Sequence, residues 1–133
     1  DIVIQKVDKE DIRSVMKQEK MIYDIEPADA VFGAVGEGIA PTNTVSHAQS
    51  LALAKRAAIA DAHRQLAEKL YGVKINSKDT VRDAMLRDST ITTQVAGLIK
   101  NASIVEHDFK DGLYRVRMEM KIDQSKWQEI FAY

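Results

Sequence analysis

The clearest periodic pattern in the chain lies near its C-terminal end. Between residues 114 and 122, apolar residues alternate with charged ones, which is the period of a half-buried β-strand. The apolar positions are Tyr114, Val116, Met118, Met120 and Ile122. The preceding stretch "ASIVEHDF" is joined to this strand through "KDG", in which Asp111 and Gly112 accept the positive φ angles of a tight turn. The pattern therefore predicts an antiparallel hairpin with one buried face.

A long helix is predicted from near Ser46 to Tyr71. The stretch "TNTVS" offers several N-cap residues, and Gly72 stands where the helix would end. On a helical wheel, one set of apolar residues falls within about 80° of arc, and this set is predicted to lie on the sheet. It comprises Ala48, Ala52, Ile59, Ala62, Leu66 and Leu70.

Five shorter stretches complete the prediction. "AVFGAVGEGIA", residues 30–40, favours a strand with a bulge or a close backbone approach, because three glycines interrupt its β-branched and aromatic residues. "VKINSK" is predicted to be a strand, whereas "DTVRDAMLRD" is ambiguous. Asp88 or Ser89 caps a second, shorter helix, and Asp123 caps a C-terminal helix, "QSKWQEIFAY".

Together these elements predict an α+β fold with one core. The 133 residues, 45% of them hydrophobic, amount to a single domain. We divide the chain into an N-terminal arm and linker, residues 1–27, an α+β domain, residues 28–123, and a C-terminal interaction helix, residues 124–133. In the arm, Asp8 is a candidate cap for a short helix.

The long helix carries a second apolar line that one core does not need. Two interpretations are open: the alanines raise helix propensity on a solvated face, or their small side chains let another helix or subunit approach. The C-terminal aromatic residues pose a related choice, because they either fold back on their own core or dock on a neighbour. The resulting interface hypothesis names Leu53, Ala57, Ala60, Ala67, Tyr71, Trp127, Ile130 and Phe131.

Charge and composition add little chemistry. With 19 basic and 20 acidic residues the formal charge is −1, and the basic residues are scattered, so nucleic-acid binding is not predicted. No apolar stretch is long enough to span a bilayer, and the chain has no cysteine. The order of the glycines in "GAVGEG" is not that of a phosphate-binding loop.

The ionisable residues form no recognisable catalytic or metal-binding motif. His47, His63 and His107 lack the i, i+4 spacing that places two imidazoles on one helix face. Four carboxylates remain candidates for convergence in space, although solvated faces are the favoured interpretation: Glu37, Asp61, Glu106 and Asp108. We therefore predict no catalytic residues, no metal and no cofactor.

Two long stretches carry a resemblance to a known family. "AKRAAIADAHRQLAEKLYGVKINSKDTV" and "GLIKNASIVEHDFKDGLYRVRMEMKI" resemble small bacterial outer-membrane lipoproteins of the twenty-kilodalton type, most of all the flagellar basal-disk lipoproteins. The resemblance covers about 90 residues, from near Val31 to Ile122. It implies a long helix on a curved antiparallel sheet, no enzymatic activity, and assembly into large rings beneath the outer membrane.

The expected function follows from this resemblance. It is that of a non-catalytic subunit of the flagellar basal disk, which supports motility and whose partners are copies of itself and other disk or motor proteins. The family's lipidated cysteine is not in this sequence, and because the chain begins at Asp1, we expect that a signal peptide or lipid-bearing segment preceded it. The alternatives are a general envelope lipoprotein acting as a monomer or dimer, and a ligand-binding module.

Overall fold

The computed structural model describes residues 29–43 and 46–131. The elements, in chain order, are β1 (Asp29–Ile39), α1 (His47–Tyr71), α2 (Val81–Arg87), α3 (Ser89–Lys100), β2 (Ser103–Lys110), β3 (Leu113–Asp123) and α4 (Gln124–Phe131). The strands form an antiparallel sheet in the order β1-β3-β2. The α+β prediction is confirmed. The N-terminal arm and the end of the C-terminal tail lie outside the described residues.

The predicted hairpin between β2 and β3 is confirmed. Asp111 and Gly112 form its two-residue turn with φ angles of 54° and 79°, values that Asp and Gly tolerate better than most residues. The alternating apolar residues of β3 are buried, and Val116 has no exposed surface. The charged residues between them lie on the opposite face of the sheet, which we call the outer face.

Helix α1 begins and ends where the sequence predicts. The Ser46 hydroxyl accepts a hydrogen bond from the Gln49 backbone N–H at 3.1 Å, and Gly72 is the C-cap. The helix crosses the face of the sheet opposite the outer face and packs on β1 and β3. We call that face, which includes the buried side of β3, the inner face.

Two glycines of β1 allow α1 to approach the strand at backbone distance. A methyl group added at Gly36 would lie 2.0 Å from the carbonyl oxygen of Ala58, and one at Gly38 would lie 2.1 Å from that of Ala54. Two residues of a strand rise about 6.7 Å and four residues of a helix about 6 Å, so each glycine step matches one alanine step. The predicted close backbone approach is therefore present, and it is made to α1.

The prediction of which face of α1 lies on the sheet is partly wrong. The buried residues are Ala54, Ala58, Ala62, Leu66 and Leu70, spaced four apart. Ala48 and Ala52 are exposed and Ile59 is half-buried. A row of residues four apart drifts about 40° around the helix at each step, because a turn holds 3.6 residues. The buried line therefore coincides with the predicted one near the C-terminus of α1 and departs from it near the N-terminus.

The segment between α1 and α2 also differs from the prediction. "VKINSK" is not a strand, since only an isolated bridge joins Lys74 to Thr80. The Asn76 side chain accepts hydrogen bonds from the N–H groups of Lys78 and Asp79, both at 2.8 Å, which folds the segment into a turn. The ambiguous stretch that follows is helical, and Thr80 and Asp83 form its capping box.

Large side chains fill the rest of the core at the opposite end of the sheet. Leu66 and Leu70 of α1 share one apolar cluster with Met120 and Ile122 of β3. Helices α3 and α4 close this cluster, α3 with Ile91, Val95 and Ile99 and α4 with Trp127, Ile130 and Phe131. Asp88 caps α3, as predicted, and the carboxylate of Asp123 accepts the Lys126 N–H at 2.7 Å at the start of α4.

Candidate interaction surfaces

The three histidines lie apart and do not form a metal site. His47 meets the Phe109 ring edge-on, with centroids 6.2 Å apart, and His107 stacks on Tyr114, whose hydroxyl lies 3.2 Å from the His107 Nδ1. The Nε2 atom of His63 is buried without a hydrogen-bond partner. Within residues 29–43 and 46–131, no three His, Asp or Glu side chains are grouped so as to hold a metal ion.

The four candidate carboxylates do not form one site. Glu37 pairs with Arg115 at 3.0 Å and Glu106 with Arg117 at 3.1 Å, both on the outer face of the sheet. Asp61 pairs instead with Arg64 of its own helix, at 2.8 Å. A depression of about 370 Å³ on the outer face is lined by Asp108, Arg115 and Arg117. Val35, Glu106 and His107 complete its lining, so two carboxylates and two guanidinium groups share this surface, where ion pairs contribute little to stability.

The second apolar line of α1 is only partly exposed. Leu53 keeps 38% of its surface exposed, and Ala57 and Ala60 are exposed beside it. Ala67 and Tyr71 are half-buried and pack against the chain's own core. We call the exposed part, Leu53, Ala57 and Ala60, the alanine strip. It ends at Arg64, which bonds to Asp61 and to Glu68, the latter at 2.9 Å.

The aromatic residues of the C-terminal helix belong to the chain's own core. Trp127 is 2% exposed, and Ile130 and Phe131 are each 5% exposed. The rings of Trp127 and Phe131 lie 4.6 Å apart, a contact between residues four apart on one helix face. These three residues are therefore not available to a partner, and their place in the interface hypothesis is corrected. Of the two interpretations open from the sequence, folding back on the core is the one observed.

A polar line on α1 covers the free backbone edge of β1. Asp61, Gln65 and Lys69 stand four residues apart and reach the strand in order. Asp61 accepts the Glu37 N–H at 3.0 Å, Gln65 donates to the Val35 carbonyl at 2.8 Å, and Lys69 donates to the Gly33 carbonyl. This line is not among the predicted features, although polar residues at i, i+4 and i+8 beside a small-residue face are a signal for it.

The electrostatics of Asp61 reflect this role. The backbone N–H of Glu37, followed by the Arg64 guanidinium, lowers the pKa of the Asp61 carboxyl below its usual value. The same carboxylate accepts a hydrogen bond from Gln65 Nε2 at 3.1 Å. Hydrogen bonds to the charged form favour it, which is the direction seen here. Asp61 is thus explained as a structural acceptor that holds α1 to β1.

Comparison with known proteins adds no assignment. No protein-family model matches the chain, and no curated protein is significantly similar to it. Among the described residues, none of the helices combines the length and the apolar character needed to cross a membrane.

Proposed function

We propose that the chain is a non-catalytic structural subunit that assembles with copies of itself into a flagellar basal disk beneath the bacterial outer membrane. It supports motility there, together with other disk or motor proteins, and a lipid anchor outside this sequence tethers it. The disk, the localisation and the lipid anchor in this proposal are inferred from the family resemblance. The observation that carries the assembly part is the alanine strip, which exposes Leu53 between small residues on a regular helix.

The strip suits a flat protein contact better than a ligand site. Alanine side chains let a second helix approach closely, and Leu53 supplies the larger apolar contact. Exposed apolar groups of this kind favour contact with another protein surface. Glu37, Asp61 and Glu106 are each paired with an arginine in separate contacts, which favours a structural role over a catalytic one.

The experiment introduces charge into the strip and measures assembly. Leu53→Glu with Ala60→Glu should leave the monomer folded, because both positions are exposed, and should abolish large particles by placing carboxylates in a dry contact. Ala96→Glu on α3, which is also exposed, is the matched control. Light scattering and negative-stain electron microscopy report particle size and shape, and thermal melting reports folding.

Particle size and cellular location separate the disk subunit from the general envelope lipoprotein. Rings or large particles from the wild type and from Ala96→Glu, but not from the double variant, support the proposal. A wild type that stays a monomer or dimer with its lipid anchor restored contradicts it and favours the general envelope lipoprotein. In the encoding bacterium, a fluorescent fusion should mark the flagellar base, and an even envelope distribution would contradict the flagellar assignment.

A further inference from the structure

The two edges of the sheet are unequal. The edge of β1 is covered by the line Asp61, Gln65 and Lys69, which occupies outward-facing backbone groups between Gly33 and Glu37. Strand β2, at the opposite edge, has β3 as its main neighbour among the described elements. All its residues except Phe109 are exposed. An uncovered edge strand is a template for another strand.

The hairpin geometry identifies which groups of β2 face outward. Lys110 and Leu113 flank the two-residue turn and so form a hydrogen-bonded pair, after which bonded and non-bonded pairs alternate. The backbone N–H and C=O groups of Phe109 and His107 therefore point away from β3. The bulge between Ile104 and Glu106 interrupts this alternation further along. The open edge thus centres on residues 106–110.

We propose that a second copy of this chain occupies this edge, with β2 antiparallel to β2 across a two-fold axis at Asp108. This inference deepens the proposed function by naming one contact of the assembly. A two-fold contact is favoured over pairing of β2 with the β1 of a neighbour, because α1 side chains already occupy the edge of β1. The product is a continuous six-stranded sheet.

Charge and the length of paired strand together select the register. With the axis at Asp108, Glu106 of each copy lies opposite Lys110 of the other, which gives two such pairs, and His107 lies opposite Phe109. With the axis at His107, Glu106 would oppose Asp108 twice, and with the axis at Glu106 the two Glu106 side chains would oppose each other. An axis at Phe109 pairs Asp108 with Lys110 but leaves only three strand residues paired. The proposed register gives two attractive charge pairs against one repulsive pair, Asp108 with its copy.

This contact closes on itself, so a ring needs another contact, for which the alanine strip remains available. The two contacts are separable because they lie on different elements, β2 and α1. Loss of the β2 contact should leave the other interface intact. Charges in the alanine strip should leave two-fold dimers.

Single cysteines introduced into the 133 residues test the pairing, since this sequence contains no cysteine of its own. Asp108→Cys should form a disulfide-linked dimer on mild oxidation, because Cα atoms in a non-hydrogen-bonded pair lie about 4.5 Å apart, within disulfide range. Val35→Cys on the outer face of the covered strand is the matched control and should remain monomeric on a denaturing gel. Lys110→Glu should weaken dimerisation at least tenfold in Kd, and adding Glu106→Lys should restore it.

The outcomes separate this inference from the proposed function. Crosslinking of Asp108→Cys well above Val35→Cys, with rescue by the charge swap, supports the β2 contact. Large wild-type particles without preferential Asp108→Cys crosslinking overturn the β2 contact and leave the proposed function standing. Preferential crosslinking of Asp108→Cys, together with a wild type that forms nothing larger than a dimer, supports the contact and contradicts the disk. Equal crosslinking at both positions overturns the inference as random collision.

Discussion

The two ends of the core are packed in different ways. Where α1 crosses β1, glycines face alanines and the backbones nearly touch, with no room for one added methyl group at Gly36 or Gly38. At the other end, Leu66, Met120 and Trp127 fill the space between the sheet and three helices. The first contact is set by backbone geometry and the second by side-chain volume. They should therefore respond differently to substitution.

The difference explains the alanine-rich sequence of α1. Ala54, Ala58 and Ala62 are completely buried. These positions require alanine because a larger side chain would push the helix away from β1. These small side chains let α1 lie close to β1, so that the polar line of α1 reaches the edge of the strand. Leu66 and Leu70 continue the same buried row where no glycine of the sheet faces the helix and larger side chains fill the space.

The largest expected effect is at the glycine contact. Gly36→Ala should destabilise the domain by about 4 kcal/mol or more, beyond ordinary overpacking, because the atom it meets is backbone. Gly33→Ala is the control, since its added methyl group would find its nearest neighbour at 3.9 Å. Denaturant unfolding followed by circular dichroism measures both. Equal stability of the two variants would contradict the close approach.

At the volume-filled end, Trp127→Ala should cost about 3 kcal/mol through the cavity it leaves. The expected readout is a lower Tm, with particle size unchanged at temperatures where the variant is folded. Ser125→Ala, on an exposed position of the same helix, is the control. Loss of assembly without loss of stability would restore Trp127 to the interface hypothesis.

A matched pair of substitutions tests plasticity directly. Met120→Leu keeps the side-chain volume and should cost less than about 1.5 kcal/mol, whereas Ala58→Val should cost about 1 to 3 kcal/mol by overpacking. Both residues are buried, so burial alone does not predict the ranking. Melting curves that reversed the order would show that the two ends follow the same packing rule.

Much of the fold could be predicted because its signals are local. The alternation in β3, the Asp111 and Gly112 turn and the caps of α1 and α3 are encoded within a few residues of where they act. "VKINSK" was misread because its apolar residues alternate as in a strand, while Asn76 supplies turn hydrogen bonds that the alternation does not register.

The surfaces were harder to predict, because alanine carries almost no directional signal. With alanines around most of α1, the wheel alone did not identify which line meets the sheet, and the deciding partners, Gly36 and Gly38, lie on another element. The same non-local dependence separates Trp127, which the core covers, from Leu53, which it leaves exposed. Small residues at matched spacings on a strand and a helix were the available signal.

The smallest expected effect concerns the polar line that accompanies the close contact. Asp61→Asn should cost less than about 1 kcal/mol at pH 7, because the Arg64 pair is at the surface and the amide oxygen still accepts the Glu37 N–H. The native pKa of Asp61 is lowered, so its charge stabilises the fold above the unfolded-state pKa of 3.8, and this contribution is lost as the pH falls through the native pKa.

The stability difference between wild type and Asp61→Asn should therefore shrink in acid, below about pH 4. Glu68→Gln is the control, because it also removes an Arg64 partner but touches no backbone group of β1. Melts from pH 2 to 7 measure both. If Glu68→Gln reproduced the whole acid dependence, the effect would come from the Arg64 ion pairs and not from the hydrogen bond between Asp61 and the edge of β1.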